Sequence, residues 1–362
     1  MTWKDIRHPQ AGGAEVVNDE LAQRLSKDGH QVIFLTAGYK SAAEKEQLNG
    51  YQVVRLGNRW NVYWQVYRYY RKHLRGWADI VIDEMNTIPF FCSFYAREKT
   101  IMFVHQLCRQ IWFHQMVLPL SLIGYLIEPL YLRVLRKNQV VTVSESTKQD
   151  LIRYGFKPER VHIIAQGMNM KPVDNPAEVK KFLEPTIISF GSIRSMKRTD
   201  HIIQAFQLAK HSVPQLRLIL AGDASGTYAQ KLLSQIRAGS YAADIDIEGR
   251  VDEVRKRELL QKSHLLCAAS VKEGWGLIVT EANSQGTPAV VYNVDGLRDS
   301  AFGGEVNQLC SGNSPQGMAK NIVELLTDSN KYRDLQKKGW EKSRQMDFNQ
   351  SYEQFLNIIQ HI

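Results

Sequence analysis

Two glutamates, Glu273 and Glu281, stand on either side of the stretch Gly274-Trp275-Gly276-Leu277-Ile278. The apolar residues after Gly276 predict a buried helix, whose first backbone N–H groups are unpaired and carry the positive end of its dipole. A phosphate can bind there, because glycine permits a close approach that a side chain would block. Glu273 would precede the helix, and Glu281 would lie more than a turn inside it. This pattern fits a ligand with phosphate in the middle and hydroxyls at both ends, as in a nucleotide sugar.

Two glutamates alone would favour a solvated loop residue and an ordinary helix carboxylate, but the pattern extends further. Glu-Gly-Trp-Gly-Leu at 273–277, followed by Glu-Ala-Asn-Ser-Gln-Gly-Thr-Pro at 281–288, resembles the donor-site signature of retaining glycosyltransferases of family 4. The resemblance extends over nearly the whole chain. It implies an α/β protein with the GT-B fold, in which two Rossmann-like domains with doubly wound parallel sheets face a central cleft. It also implies transfer of a sugar, of hexose type, with retention at the anomeric carbon.

The composition agrees with a two-domain globular protein, since 362 residues with 44% hydrophobic and 23% charged side chains suffice for two cores. No apolar window reaches about 18 residues, so we expect no spanning helix and a cytoplasmic protein. The four scattered cysteines are expected to be buried thiols in a reducing compartment. The net charge of +9 favours phosphate-bearing ligands and peripheral contact with the anionic inner face of the plasma membrane over nucleic acid, for which no motif is present.

Strand–helix alternation in both halves predicts two α/β domains. We expect an acceptor-side domain over residues 1–168, a linker over 169–185 and a nucleotide-sugar-binding domain over 186–345. A helical C-terminal stretch, Tyr332–Ile362, should end in a helix over 346–362 that packs back on the first domain. The family carries an apolar strand before its first glycine loop, and this chain starts almost at that loop. The strand is therefore expected to be missing or reduced to a stub, with the true start upstream.

The resemblance assigns two positions in the first half of the chain. Gly12-Gly13, preceded by Arg7-His8-Pro9, matches a family loop that lies across the cleft from the donor phosphates. His105 follows the predicted strand Thr100–Val104 and resembles the family histidine that contacts the transferred sugar. Without the resemblance, the two glycines would be as well explained by a plain turn and the histidine by a structural role.

Further positions follow in the second half. Lys197 keeps the place of the family lysine after a buried strand, but Ser192 occupies the family's arginine position, so Arg194 is the candidate for the displaced guanidinium. Cations on this loop are placed to neutralise a leaving pyrophosphate. Arg250 and Val251 stand where the family holds the nucleotide base by backbone contacts.

Each residue thus receives an expected role. Glu281 should accept hydrogen bonds from the ribose, and Glu273 should orient the donor sugar. The expected catalytic residues are Glu273, His105, Lys197 and Arg194, and the expected donor-binding residues are Gly12, Gly13, Arg250, Val251, Gly274, Trp275, Gly276, Leu277, Ile278 and Glu281. Because cations and helix dipoles can do the work of a divalent ion, we expect no metal ion and no cofactor besides the nucleotide-diphosphate sugar that serves as donor.

Two apolar segments bear on the acceptor. Residues 111–134 are rich in apolar side chains but are interrupted by prolines and charges, which fits either a partly exposed segment that meets a bilayer or apolar acceptor, or a buried helical hairpin. Residues 63–73 alternate aromatic and basic side chains and favour a helix packed on the sheet over a headgroup contact. We therefore expect a lipid-linked or glycan acceptor and a role in cell-surface polysaccharide or glycolipid synthesis.

Three other interpretations stay open. A sugar-nucleotide epimerase or a phosphorylase of the same fold would use a similar donor site. A non-catalytic nucleotide-sugar-binding protein would explain Ser192 and the short N-terminus. A basic nucleic-acid-binding protein would show a steep salt dependence of affinity. The sugar, the base and the acceptor are open as well.

Overall fold

The computed structural model describes residues 1–361, which form two compact units. Unit 1 consists of Met1–Trp112, Leu118–Gly167 and the residues from Asp347 onwards, and unit 2 consists of Phe113–Val117 and Met168–Met346. Ile362, the last residue of the predicted C-terminal helix, lies outside the described residues.

Strands and helices alternate along the chain, with short 3-10 turns between them. The strands are β1 (Ile33–Thr36), β2 (Lys45–Leu48), β3 (Tyr51–Arg55), β4 (Ile80–Met85), β5 (Lys99–Val104), β6 (Gln139–Thr142), β7 (Val161–Ile163), β8 (Thr186–Phe190), β9 (Arg217–Ala221), β10 (Ile245–Gly249), β11 (Leu265–Ala268), β12 (Ala289–Val291) and β13 (Gln308–Leu309). The helices are α1 (Gly13–Lys27), α2 (Val62–Tyr69), α3 (Trp112–Gln115), α4 (Leu120–Leu135), α5 (Glu145–Arg153), α6 (Thr199–Lys210), α7 (Thr227–Ala238), α8 (Glu253–Lys262), α9 (Leu277–Ser284), α10 (Leu297–Ser300), α11 (Pro315–Thr327), α12 (Ser329–Ser343) and α13 (Phe348–His361).

Residues 1–3 lie between the two groups of strands in unit 1. Strands in the orders β1-β3-β2 and β4-β5-β6-β7 form two groups, in which β2 alone pairs in antiparallel fashion. Met1 donates its N-terminal NH3⁺ to the Ile82 carbonyl at 2.7 Å, and the Thr2 N–H donates to the Leu35 carbonyl at 3.0 Å. Residues 1–3 therefore bridge β4 and β1. The antiparallel edge strand β2 is a feature that the prediction of a parallel sheet missed.

The C-terminal helix α13 packs on unit 1. Tyr352 donates its hydroxyl to Asp28 Oδ2 at 2.5 Å, and Ser351 donates to the Ala165 carbonyl at 2.6 Å. Phe348 lies so close to Gly167 that a Cβ there would be 2.3 Å from its ring. The prediction of continuous helix from Tyr332 was wrong, because residues 344–347 separate α12 from α13.

Unit 2 contains one six-stranded parallel sheet in the order β10-β9-β8-β11-β12-β13. From β8 the chain adds β9 and β10 on one side of the sheet. It then returns and adds β11, β12 and β13 on the other side of β8. The order therefore reverses between β8 and β11, whose carboxyl ends are the place where ligands bind in open α/β sheets. Ile187, Ile188, Leu265 and Leu266 are fully buried in these two strands and hold this part of the sheet in the core.

Two further expectations concern burial and membrane spans. Cys92, Cys108, Cys267 and Cys310 are all free and buried, as predicted. Among residues 1–361, none of the helices combines the length and the apolar character needed to cross a bilayer.

Candidate functional site

Lys197 and Glu273 form an ion pair at the point where the strand order of unit 2 reverses. Lys197 lies in the 3-10 turn Ser195–Lys197 after β8, and Glu273 lies on the loop after β11. Lys197 Nζ donates to Glu273 Oε1, and Ser270 Oγ donates to the same oxygen at 2.6 Å. The structure thus brings together two of the four residues predicted to be catalytic and adds Ser270, which the sequence analysis missed.

The loop after β12 fixes the backbone of Glu273. The Glu273 N–H donates to the Asp295 carbonyl at 3.0 Å, and Lys272 Nζ lies 2.9 Å from Asp295 Oδ2. Although burial acts to raise it, hydrogen bonds from Lys272 and Arg298 hold the pKa of Asp295 below its ordinary value. Gly296 has φ +80°, and a Cβ there would lie 2.3 Å from the Glu273 carbonyl oxygen. Only glycine therefore permits this close packing of the two loops.

Gly276 is the N-terminal cap of α9, as predicted from the glycine pattern. Its φ of +94° belongs to the left-handed region, and a Cβ there would lie 3.0 Å from Leu297 Cδ2. The first N–H groups of α9, at Leu277 and Ile278, thus follow a residue without a side chain. Trp275 packs edge-on against Phe302, and its buried Nε1 has no hydrogen-bond partner among the described residues.

Glu281 lies in the second turn of α9 and is paired with Lys256 of α8. Lys256 Nζ donates to Glu281 Oε1 at 2.7 Å. Burial raises the pKa of Glu281 above its ordinary value, while Lys256 acts in the opposite direction. Lys256 was missed by the sequence analysis, because no local spacing relates it to Glu281.

The other predicted residues of unit 2 follow strands at the same edge of the sheet, and the two arginines among them are exposed. Arg194 is exposed on the loop after β8, whereas Arg198, which was not predicted, places its guanidinium over the Tyr292 ring at 6.0 Å. Arg250 and Val251 follow β10, and Arg250 Nη2 lies 4.0 Å from Asp223 Oδ2. Within residues 1–361, no group of three or more His, Cys, Asp or Glu side chains is arranged to hold a metal ion.

Gly12, Gly13 and His105 belong to unit 1 and form a separate group. Gly13 begins α1, and the Gly12 N–H is already bonded to Glu15 Oε2 at 2.6 Å. His105 follows β5, with its Nε2 3.3 Å from Asn18 Oδ1 and 3.4 Å from Glu84 Oε1. Asn18 and Glu84 were not predicted as partners of His105.

Comparisons with known proteins show the family to which the chain belongs. The model described as Glycosyltransferase Family 4 matches residues 11–171, and the model described as Glycosyl transferases group 1 matches residues 173–342. The chain is 26% identical over 354 residues to the N-acetyl-alpha-D-glucosaminyl L-malate synthase of Bacillus anthracis, covering 91% of this chain and 88% of that protein.

Solved structures show the same fold. Anabaena HepE in complex with UDP-glucose superposes with a TM-score of 0.77 at 18% identity, covering 99% of this chain and 98% of that one. WaaG, a glycosyltransferase involved in lipopolysaccharide biosynthesis, superposes with a TM-score of 0.78 at 16% identity, covering 100% of this chain and 99% of that one. The fold is GT-B, with two Rossmann-like α/β domains, as predicted. Since the two family models match consecutive halves and together account for most of the sequence, the chain belongs to glycosyltransferase family 4.

Proposed function

We propose that this glycosyltransferase transfers a hexosyl group from a nucleotide-diphosphate sugar, with retention of the anomeric configuration, to a hydroxyl of a lipid-linked or glycan acceptor. The observation that carries the proposal is the Lys197–Glu273 pair beside the glycine-capped start of α9, with Glu281 further along the same helix. A cation therefore lies against Glu273, and the first N–H groups of α9 lie between Glu273 and Glu281 along the chain. Pyrophosphate bound between hydroxyl-bearing groups has the complementary order.

In the proposed reaction, the bond between the anomeric carbon and the diphosphate oxygen breaks as the acceptor oxygen forms a new bond to that carbon from the same face. The acceptor proton passes to the departing phosphate oxygen. Lys197 and the N–H groups of Leu277 and Ile278 stabilise the negative charge that grows on the diphosphate. Glu273 orients the sugar through its hydroxyls, and Arg194 adds a second cation on the exposed side of the loop. We also keep the prediction from the sequence that Gly12, Gly13 and His105 of unit 1 take part in this reaction.

A thermal-shift panel tests the donor. UDP-glucose and UDP-N-acetylglucosamine are the first probes, because HepE binds UDP-glucose and the Bacillus anthracis relative is named for an N-acetylglucosaminyl product. A ligand that binds only the folded state raises Tm. We expect a rise with at least one donor and its loss in Lys197→Met. Binding of a donor without turnover on any acceptor would favour a non-catalytic binder, and release of an isomeric sugar nucleotide would favour an epimerase.

We also propose that the diphosphate departs without the help of a metal ion. Lys197, the start of α9 and the neighbouring cations supply positive charge at the diphosphate, which a divalent ion supplies in other enzymes. We expect turnover to persist in EDTA. Loss of turnover in EDTA and its recovery with Mg²⁺ or Mn²⁺ would contradict this part alone.

The α4 helix supports a membrane-associated acceptor. Its outward side, which we call the α4 apolar face, consists of large exposed side chains at helical spacing: Leu122, Ile123, Leu126, Ile127, Leu130 and Val134. The opposite side is held in unit 1 by Glu128, whose carboxylate is buried and accepts the N–H groups of Cys108 and Arg109, both at 2.7 Å. The hydrogen bonds to Glu128 therefore keep the α4 apolar face directed outward.

Charge around this face favours an anionic surface. Arg133, Arg136 and Lys137 are exposed at the end of α4, and the only acid between residues 120 and 137 is the inward-facing Glu128. An apolar helix face with a basic end is typical of helices that lie in a lipid interface. The proposal is therefore peripheral contact with an anionic membrane on its cytoplasmic side, with a role in cell-surface polysaccharide or glycolipid synthesis.

Vesicle co-sedimentation tests this contact with the full chain. We expect binding to phosphatidylglycerol-containing vesicles, little binding to pure phosphatidylcholine, and loss of at least tenfold in affinity when Leu126→Glu and Leu130→Glu are combined. Val254→Glu is the matched control, because Val254 is an exposed apolar residue on α8 of unit 2. Equal binding by the double variant and by the control would contradict the assignment to α4.

A further inference from the structure

A cavity of about 240 Å³ lies in unit 1, where several stretches of chain leave the carboxyl ends of neighbouring strands. Its lining comes from the residues after the first segment of the chain, after β1 and after β3, and includes Trp3, His8, Gln10, Gly38, Asn58 and Arg59. The carboxyl ends of the strands are where open α/β sheets bind ligands. The volume is just below the range of about 300–1,000 Å³ typical of pockets for whole small molecules, so the cavity suits one end of a ligand.

Two glycines allow the loops after β1 and β3 to approach each other beside this cavity. A Cβ on Gly38 would lie 2.7 Å from the Gly57 carbonyl oxygen. Gly57 itself has φ +62°, and a Cβ there would lie 2.1 Å from Asn61 Oδ1. The same Asn61 oxygen accepts the Asn58 N–H at 2.7 Å. The segment that carries Asn58 and Arg59 is therefore fixed by the protein before a ligand binds.

His8 offers the cavity a hydrogen-bond donor of fixed orientation. The Gln10 N–H donates to His8 Nδ1 at 3.0 Å, so the neutral imidazole carries its proton on Nε2. Tyr39 packs edge-on against the ring at 5.1 Å between centroids and holds it in place. Burial, followed by the positive charge of Lys4, lowers the pKa of His8, so the ring is neutral at pH 7. His8 Nε2–H is therefore a donor that adds no charge of its own.

The charge of the cavity comes from Arg59. Its guanidinium lies over the Trp60 ring at 4.3 Å, and its N–H groups point outward in the guanidinium plane, where a ligand can reach them. Among the described residues that line the cavity, none carries a carboxylate. Two acids of this region, Asp5 and Glu46, are neutralised by Arg55 at 2.8 Å and 2.7 Å. An arginine with neighbouring N–H donors and no opposing acid is typical of a site for phosphate or carboxylate.

We propose that this cavity binds an anionic group, a phosphate or carboxylate, of the acceptor. Arg59 pairs with the anion, and His8 Nε2–H and the Asn58 side-chain amide donate hydrogen bonds to its oxygens. The inference rests on the proposed function, because it takes the bound molecule to be the acceptor of the transferred sugar. It narrows the acceptor to molecules that carry a negative charge. A lipid phosphate and the anionic group of a soluble molecule share this chemistry.

NMR of the histidine ring C–H groups in the full chain tests the site, with the His8 signal assigned by its loss in His8→Gln. Saturating UDP is present throughout, so that anions do not occupy the donor site. Glycerol 3-phosphate, malonate, dihexanoyl phosphatidic acid and uncharged myo-inositol are added in separate titrations. A shift of the His8 signal with glycerol 3-phosphate or malonate assigns a soluble acceptor, and a shift with the phosphatidic acid alone assigns a lipid phosphate. No shift with any anion, or an equal shift with myo-inositol, overturns the proposal.

Variants identify the residues responsible. Arg59→Gln keeps N–H donors but removes the charge, and we expect it to weaken the affinity for the anion at least tenfold. Arg68→Gln, at an exposed arginine of α2, makes the same change in net charge and should leave the affinity unchanged. Asn58→Asp adds a negative charge to the cavity and should cause a similar loss, which keeps the test decisive if Arg59→Gln does not fold.

Tm of each variant shows whether it is folded. Native affinity in folded Arg59→Gln or folded Asn58→Asp overturns the proposal, as does an equal loss in Arg68→Gln. Failure of the donor proposal is distinguishable, since it appears as absence of a thermal shift with nucleotide sugars while the anions still move the His8 signal.

Discussion

Lys256 Nζ lies 2.7 Å from Glu281 Oε1, so a lysine of α8 holds the carboxylate that is expected to accept hydrogen bonds from the ribose. Burial raises the pKa of this carboxyl, and the lysine acts in the opposite direction by stabilising the ionised form. One oxygen of Glu281 is thereby engaged by the protein itself. The proposed ribose contact requires the carboxylate to be ionised, which makes donor affinity depend on pH.

Glu281→Gln is expected to weaken UDP affinity about 10- to 100-fold, since a hydrogen bond to a charged group contributes about 1.5–3 kcal/mol. Because burial raises the pKa of Glu281, acidification protonates it at a higher pH than an exposed glutamate, and native affinity should fall as pH decreases. Calorimetric titration with UDP from pH 5 to 8 measures both effects. Glu253→Gln, at an exposed neighbour of Lys256, is the control. A pH dependence that persists unchanged in Glu281→Gln would contradict the assignment.

Lys197→Met is expected to lower kcat about 100- to 1000-fold, in the range of a lost charge-stabilising group in other active sites. The ion pair with Glu273 is lost as well, so the orientation of the sugar should also suffer. Arg194→Ala should reduce kcat less, because Arg194 is exposed. Initial rates with a saturating donor measure both. If Arg194→Ala left donor affinity and turnover at native values, Arg194 would be dropped from the site.

Gly296→Ala is expected to impair turnover more than folding. The added Cβ would lie 2.3 Å from the Glu273 carbonyl oxygen, so the loop that carries Glu273 must move. Gly303→Ala is a matched control, because Gly303 also has a positive φ, while nothing lies within 4 Å of its Cβ position. We expect both variants to lower Tm through backbone strain, and only Gly296→Ala to lose most of its kcat. Equal kcat losses in the two variants would show that the packing against Glu273 is not responsible.

Protonation of His264 should lower the stability of unit 2 at acidic pH. Its Nδ1 accepts the Thr186 N–H at 3.0 Å, and burial, with a smaller effect of Lys181, lowers the pKa of His264 to about 4. Between that value and the unfolded value of about 6.5, the unfolded chain binds a proton that the folded chain does not. Stability contributed by neutral His264 is therefore full above pH 6.5 and is lost as pH falls towards 4, by roughly 1–3 kcal/mol.

His264→Asn provides the comparison, since asparagine keeps an acceptor for the Thr186 N–H but does not titrate. We expect the native Tm to fall between pH 6.5 and 4 more steeply than that of the variant. Differential scanning calorimetry across this window measures the difference. Parallel curves would mean that His264 does not take part in the acid response.

The sequence predicted features that depend on neighbouring positions. The cap at Gly276 and the placement of Glu273 before α9 and Glu281 within it follow from spacing along a single loop and helix. Lys256 and Gly296 could not be found in this way, because α8 and the loop after β12 meet α9 and Glu273 only in the packed sheet. Asp347 is a local signal that was overlooked: its Oδ1 accepts the Asn349 N–H at 2.9 Å, an interaction typical of a helix start.

Because unit 1 is assembled from separate stretches of the chain, its integrity depends on the final helix. A polypeptide ending near Gly167 would leave Phe103 without the stacked ring of Phe355 and Asp28 without the Tyr352 hydroxyl. Premature termination shortly before Asp347 should therefore destabilise unit 1, although most of unit 1 precedes that point in the chain. Exchange of unit 1 between relatives requires junctions on both sides of Met168–Met346, the main segment of unit 2.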